Sequence, residues 1–186
     1  MGIKPHIRQK QLLREAEGYL DLVMVLADQW QLDPVARDRV AQRTLDTLDQ
    51  LDPQVGRGAV PHLRGQALRV MERYADAIGP LREASSADPE NMHIYLALGW
   101  CYKRIGRLDM AIESLEDALA NDPDEGILHY NLACYWSLVG KTSTAVRYLG
   151  QAFDLDPNYR DMVAGERDFD PIRSQPEFLM LTSVIV

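Results

Sequence analysis

Cysteine is almost missing from this chain: Cys101 and Cys134 are the only two in 186 residues. Two thiols build neither a disulfide framework nor a four-cysteine zinc site. Long apolar runs are also missing. The longest near-continuous one, Leu22 to Ala27, is far short of the roughly 20 residues that a membrane helix needs. The start, Met1 to Arg8, has no apolar segment of the secretory type. The expectation is a cytoplasmic protein with no membrane partner. Positive charge is in deficit, with 20 Lys plus Arg against 28 Asp plus Glu and a net charge of -8. Phosphate backbones repel such a chain, so nucleic acid is not expected as a partner. The 12 glycines are dispersed and form no phosphate-cradling loop.

Periodicity is what the chain has in quantity. An Asp-Pro pair closes each of four segments, at Pro53, Pro89, Pro123 and Pro157, in steps of 36, 34 and 34 residues. Each proline follows an apolar helical pattern, which it can stop but not continue. Superposing the last three segments aligns Gly65, Gly99 and Ala133, then Leu68, Tyr102 and Trp136. Further along it aligns Ala77, Ala111 and Ala145, then Leu81, Leu115 and Leu149, then Ala84, Ala118 and Ala152. Small residues at two sites about twelve apart let antiparallel helices approach, and the large residues fill the space between them. Gly106 and Gly140 suit the turns that join the pairs. Each unit is thus a helix hairpin with an apolar face that only a neighbour can bury.

These units resemble tetratricopeptide repeats. Tyr95, Leu98, Gly99, Tyr102, Ala111, Leu115, Ala118 and Pro123 follow that family's pattern almost completely. Residues 126–157 match it with Leu132, Ala133, Trp136, Ala145, Leu149, Ala152 and Pro157, while His129 departs at the first large site. Residues 58–91 match less well, with Pro61 and Arg64 where large apolar residues belong. A degenerate unit precedes them, carried by Val23, Leu26, Ala27 and Trp30 and then Ala41, Leu45, Leu48 and Pro53. The fold the resemblance implies is all-α, a right-handed superhelix of helix hairpins. Its parts are N-terminal helices with the degenerate unit (1–57), three repeats (58–91, 92–125, 126–157) and a helical C-terminal cap (158–186). Phe169, Ile172, Phe178, Leu179 and Leu181 suit the cap.

In this family the first helix of each unit lines a concave groove and the second forms the outer face. The first helices here carry Arg64, Arg69, Lys103 and Arg104 against Glu72, whereas the second helices carry Arg82 and Arg147 against ten acids. The resemblance therefore implies a mildly basic groove and an acidic outside. Carried over position by position, the groove residues are His62, Gln66, Arg69, His93, Trp100, Lys103, Arg104, Tyr130, Asn131, Cys134 and Ser137. Rings beside cations suit a peptide with acidic groups or a free C-terminus. The family's best-known chaperone-tail clamp is not reproduced, because its five positions hold His62, Gln66, Ala97, Ile127 and Asn131.

The expected function is a scaffold or adaptor that binds a protein or peptide. The alternative is a homodimer formed through the N-terminal helix and the apolar tail Val184-Ile185-Val186. No enzyme is expected, since Ser85-Ser86 and Thr142-Ser143-Thr144 lack a base at nucleophile spacing. No metal or cofactor is expected either, since His62, His93 and His129 lack a ligand motif. The two cysteines read as small buried thiols.

Overall fold

A computed structural model describes residues 5–29, 33–52, 54–56 and 58–183. Trp30, Pro53 and the tail Val184-Ile185-Val186, all used above, lie outside the described residues, as do the side chains of Leu26 and Ala27. Among the described residues ten α-helices follow in order: α1 Pro5–Gln29, α2 Pro34–Leu48, α3 Ala59–Val70, α4 Tyr74–Ala87, α5 Met92–Arg104, α6 Leu108–Asn121, α7 Gly126–Leu138, α8 Thr142–Leu155, α9 Tyr159–Val163 and α10 Pro176–Thr182. A 3-10 helix, Arg167–Ile172, lies between the last two. No strand occurs among the described residues. The fold is all-α. Contacts divide it into two compact units, Met1–Cys101 and Tyr102–Val186.

In the first unit α1 packs along α2 and also reaches α3. Ala16, Leu20 and Val23 form its inner stripe against Ala41, Leu45 and Leu48. Asp33 starts α2 by accepting the Ala36 amide at 3.2 Å, with Pro34 opening the first turn. In the next hairpin Ala77, Leu81 and Ala84 of α4 are fully buried. Gly65 is the reason α3 can lie so close: a Cβ there would stand 2.5 Å from Leu81 Cγ and 3.3 Å from the Leu81 backbone nitrogen.

The turn after α3 closes with the Arg73 amide donating to the Leu68 carbonyl at 2.9 Å. The same 6→1 bond recurs from Arg107 to Tyr102 and from Lys141 to Trp136. Gly106 and Gly140 supply the left-handed residue in two of these turns, with φ of 78° and 76°. At the third, Glu72 takes φ 59° despite its Cβ, a conformation that costs a non-glycine residue about 1 kcal/mol.

In the second unit α7 is the centre, with nine of its thirteen residues buried. One face packs on α6 and α8, and the 3-10 helix covers another. The Glu166 side chain caps that segment by accepting the Asp168 amide at 3.0 Å. Arg173 ties it down by donating to the Glu166 and Val163 carbonyls. Phe169, Ile172 and Phe178 are buried in the cap as expected. Leu179 is not: it is 51% exposed, because seven-residue α10 turns Phe178 inward and its neighbour out.

Gly65→Ala is expected to lower stability by about 1–3 kcal/mol through overpacking against Leu81. Gly18→Ala is the control, since nothing lies within 4 Å of a Cβ there, and it should gain about 0.5–1 kcal/mol. Chemical denaturation of the two variants reads both numbers.

Candidate peptide-binding faces

His62, Gln66 and Arg69 stand on one face of α3 and form a single hydrogen-bonded string. Arg69 Nε donates to Gln66 Oε1 at 2.7 Å, and Gln66 Nε2 donates to His62 Nε2 at 3.1 Å. An arginine can only donate, so it fixes the amide's orientation and makes His62 Nε2 the acceptor. His62 is held below the ordinary histidine value of 6.5, first by burial and then by the charges of His93 and Arg69, with Asp88 pulling the other way. His93 is exposed on α5, and Trp100 on the same helix is 38% exposed.

Arg69 and Trp100 line a cavity of about 270 Å³ together with Met24, Arg37, Val70, Glu72 and Tyr74. Arg37 donates to Glu72 Oε1 at 2.6 Å. Glu72, the residue with the left-handed backbone, thus holds a cation from α2 at the cavity wall. Sequence reasoning missed Met24, Arg37, Glu72 and Tyr74 as members of this site. They come from three separate stretches of chain, and no spacing rule brings them together.

The second unit treats its expected residues differently. Tyr130 is 3% exposed, Cys134 2% and Ser137 0%, so none of the three presents an open surface. The chain's own C-terminal segment covers them. Tyr159 stacks on the Tyr130 ring with centroids 5.1 Å apart, and Phe169 meets it edge-on at 5.8 Å. Ser137 Oγ donates to the Asp168 carbonyl at 2.7 Å. Lys103 pairs with the Asp168 carboxylate, both side chains being mostly buried. Burial pushes the Tyr130 hydroxyl and the Cys134 thiol well above their ordinary ranges. In the first unit burial pushes the Cys101 thiol up to about 11. Asn131 is half-buried and donates to the Ile127 carbonyl of its own helix at 2.8 Å. Arg104 is exposed on the last turn of α5. Among the described residues no group of three or more His, Cys, Asp or Glu is placed to hold a metal ion, and no helix is long and apolar enough to cross a membrane.

Residues 62–133 match the tetratricopeptide repeat family. The chain carries tetratricopeptide repeats. Solved structures of the same fold include MamA AMB-1, 22% identical with a TM-score of 0.59 over 84% of this chain and 96% of that one. A MamA fragment, residue 41 to the end, from Desulfovibrio magneticus RS-1 is 20% identical, with a TM-score of 0.57 over 77% and 76%. YrrB, described as a tetratricopeptide repeat protein with an unusual peptide-binding site, is 17% identical, with a TM-score of 0.59 over 81% and 73%. At such identities the likeness is one of fold. No curated protein matches the chain.

Tetratricopeptide register relates the two faces. His62, Gln66 and Arg69 on α3 stand 68 residues before Tyr130, Cys134 and Ser137 on α7. The first set remains partly accessible at the surface, except for Gln66 at 8%.

Phe169→Ala is expected to cost about 3–5 kcal/mol, because it empties a fully buried site between Tyr130 and Phe178. Urea unfolding followed by far-UV circular dichroism measures the loss. For His62 the sign follows from its lowered value. The unfolded chain binds the proton more readily, so this histidine's contribution is complete above about pH 6.5 and declines on acidification below it. His93→Gln removes one lowering charge, and imidazole NMR titration should then show the His62 midpoint moving up.

Proposed function

We propose that this repeat chain is a protein-binding scaffold whose α3 face, with His93 and Trp100 of α5, docks a partner segment carrying a carboxylate beside an aromatic ring. One observation carries the reading. The register-equivalent face of α7 already holds such a segment, Asp168-Phe169, with the carboxylate on Lys103 and the ring on Tyr130. The α3 face offers the same chemistry in another order: Arg69 for a carboxylate, Trp100 for a ring, and the cavity of about 270 Å³ for one side chain. A preformed helical face spends little of its binding free energy on ordering itself. A guanidinium can hold a carboxylate through paired hydrogen bonds.

The α7 face and Lys103 take no part in this partner site, since Phe169, Ile172 and Phe178 would all have to leave their buried positions to free them. At about 1.5–3 kcal/mol for each buried side chain, displacement would consume most of a typical peptide's affinity.

The combined variant Trp100→Ala and Arg69→Glu should lose partners that the full chain captures from its native lysate. It should also lose binding of a synthetic peptide spanning residues 166–174 of this chain. A captured set and a peptide affinity that both stay unchanged would reject the α3 face as the docking surface.

A further inference from the structure

A cavity of the second unit lies away from the α7 face just described. It is a crevice of about 600 Å³ between α6 and α8, entered beside the Pro123-Asp124 turn. Its place can be read from the repeat register. The first large site of the pattern holds Pro61, Tyr95 and His129 in the three units. An outer crevice of about 510 Å³ lies beside Pro61 and one of about 600 Å³ beside His129. Even the walls correspond, with Pro80 and Glu83 in the first crevice and Tyr148 and Gln151, 68 residues later, in the second.

The two crevices differ in chemistry. In the first, Asp49, Asp52 and Glu83 stand against Arg64, which is held by Asp49 in an ion pair at 2.7 Å. In the second, Glu116, Asp124 and Asp154 stand against Arg147 alone. Arg147 lies over the Tyr148 ring at 4.5 Å, and the Tyr148 hydroxyl donates to Glu116 Oε1 at 3.5 Å. His129 is 5% exposed and belongs to the lining. Its Nε2 lies 2.8 Å from the Pro123 carbonyl. A carbonyl only accepts, so Nε2 carries the hydrogen and Nδ1 presents a lone pair. That Nδ1 is buried and has no hydrogen-bond partner in the protein. An unmet buried acceptor of this kind is destabilising, and packing alone gives no reason to keep it.

We infer that the His129 crevice is a second docking site, which takes a lysine or arginine side chain from a basic segment of a partner protein. Such a side chain brings a positive charge for the three carboxylates and a methylene stem for Leu119, Tyr148 and Leu155, beside the buried imidazole. The acidic outer helices then have a role beyond solvation: they raise the encounter rate with a basic partner.

The test uses the full chain and a fluorescein-labelled peptide, Gly-Leu-Arg-Leu-Arg-Gly, read by anisotropy at about 0.15 M salt, where long-range attraction is screened. The counterpart peptide has glutamate in place of both arginines. The basic peptide should bind at least tenfold tighter than the acidic one. His129→Tyr, which restores the residue type of Tyr95, should weaken it at least tenfold with an unchanged circular dichroism spectrum. Glu116→Lys combined with Asp154→Lys should do the same. The pair Trp100→Ala and Arg69→Glu should leave this binding alone, which separates it from the α3 face. Should His129→Tyr fail to fold, the wild-type Nδ1 resonance of His129 still reports, and it should shift on adding the basic peptide. Equal binding of the two peptides, wild-type affinity in His129→Tyr, or a stationary Nδ1 signal would each overturn the assignment. The second of these would leave only a diffuse acidic field.

Discussion

A helix hairpin cannot bury both of its faces by itself, and every feature of this chain follows from how each face finds a cover. Within a pair, contact depends on a small residue letting backbones approach. Gly65 against Leu81 is the sharpest case, with no room for even one added carbon. Between pairs the cover is the next hairpin, as α7 does for α6. At the C-terminal end no further repeat follows among the described residues, and the 3-10 helix with α10 takes that place. Phe169, Ile172 and Phe178 do there what a following hairpin does elsewhere.

That solution has a consequence for binding. The segment that seals α7 is not merely apolar. It brings a carboxylate to Lys103 and a backbone carbonyl to Ser137, so these two groups of the first-helix face are paired rather than stranded, although the buried Tyr130 hydroxyl finds no partner. The face most resembling a peptide site in its residue types is thereby occupied from within. The accessible chemistry moves to α3, where His62, Gln66 and Arg69 hold one another in a fixed order.

The outer side is covered less completely. One crevice lies beside Pro61 and another beside His129, both at the pattern's first large site. Close-packed interiors show such gaps rarely. In the first unit an ion pair joins Arg64 to Asp49 at the gap, whereas in the second a buried imidazole nitrogen stays unanswered. The departures from the repeat pattern therefore say more about specificity than its matches do.

Helix limits, turn glycines and the small-residue contacts were all readable from the chain. Each depends on residues within one hairpin: the Asp-Pro stops, Gly106 and Gly140, the Ala and Leu ladders of the second helices. Burial of Tyr130, Cys134 and Ser137 was not readable. It depends on Tyr159 and the 167–172 segment folding back from some 30 residues downstream, and the Asp168-Phe169 pair carries no periodic signal. The cavity at Trp100 likewise needs Met24, Arg37 and Glu72 to converge. The hairpins and their register follow from the chain alone, because a 34-residue pattern repeats local packing rules. Tertiary structure alone decided which faces stay open, because covering a face depends on contacts between segments that no local rule connects.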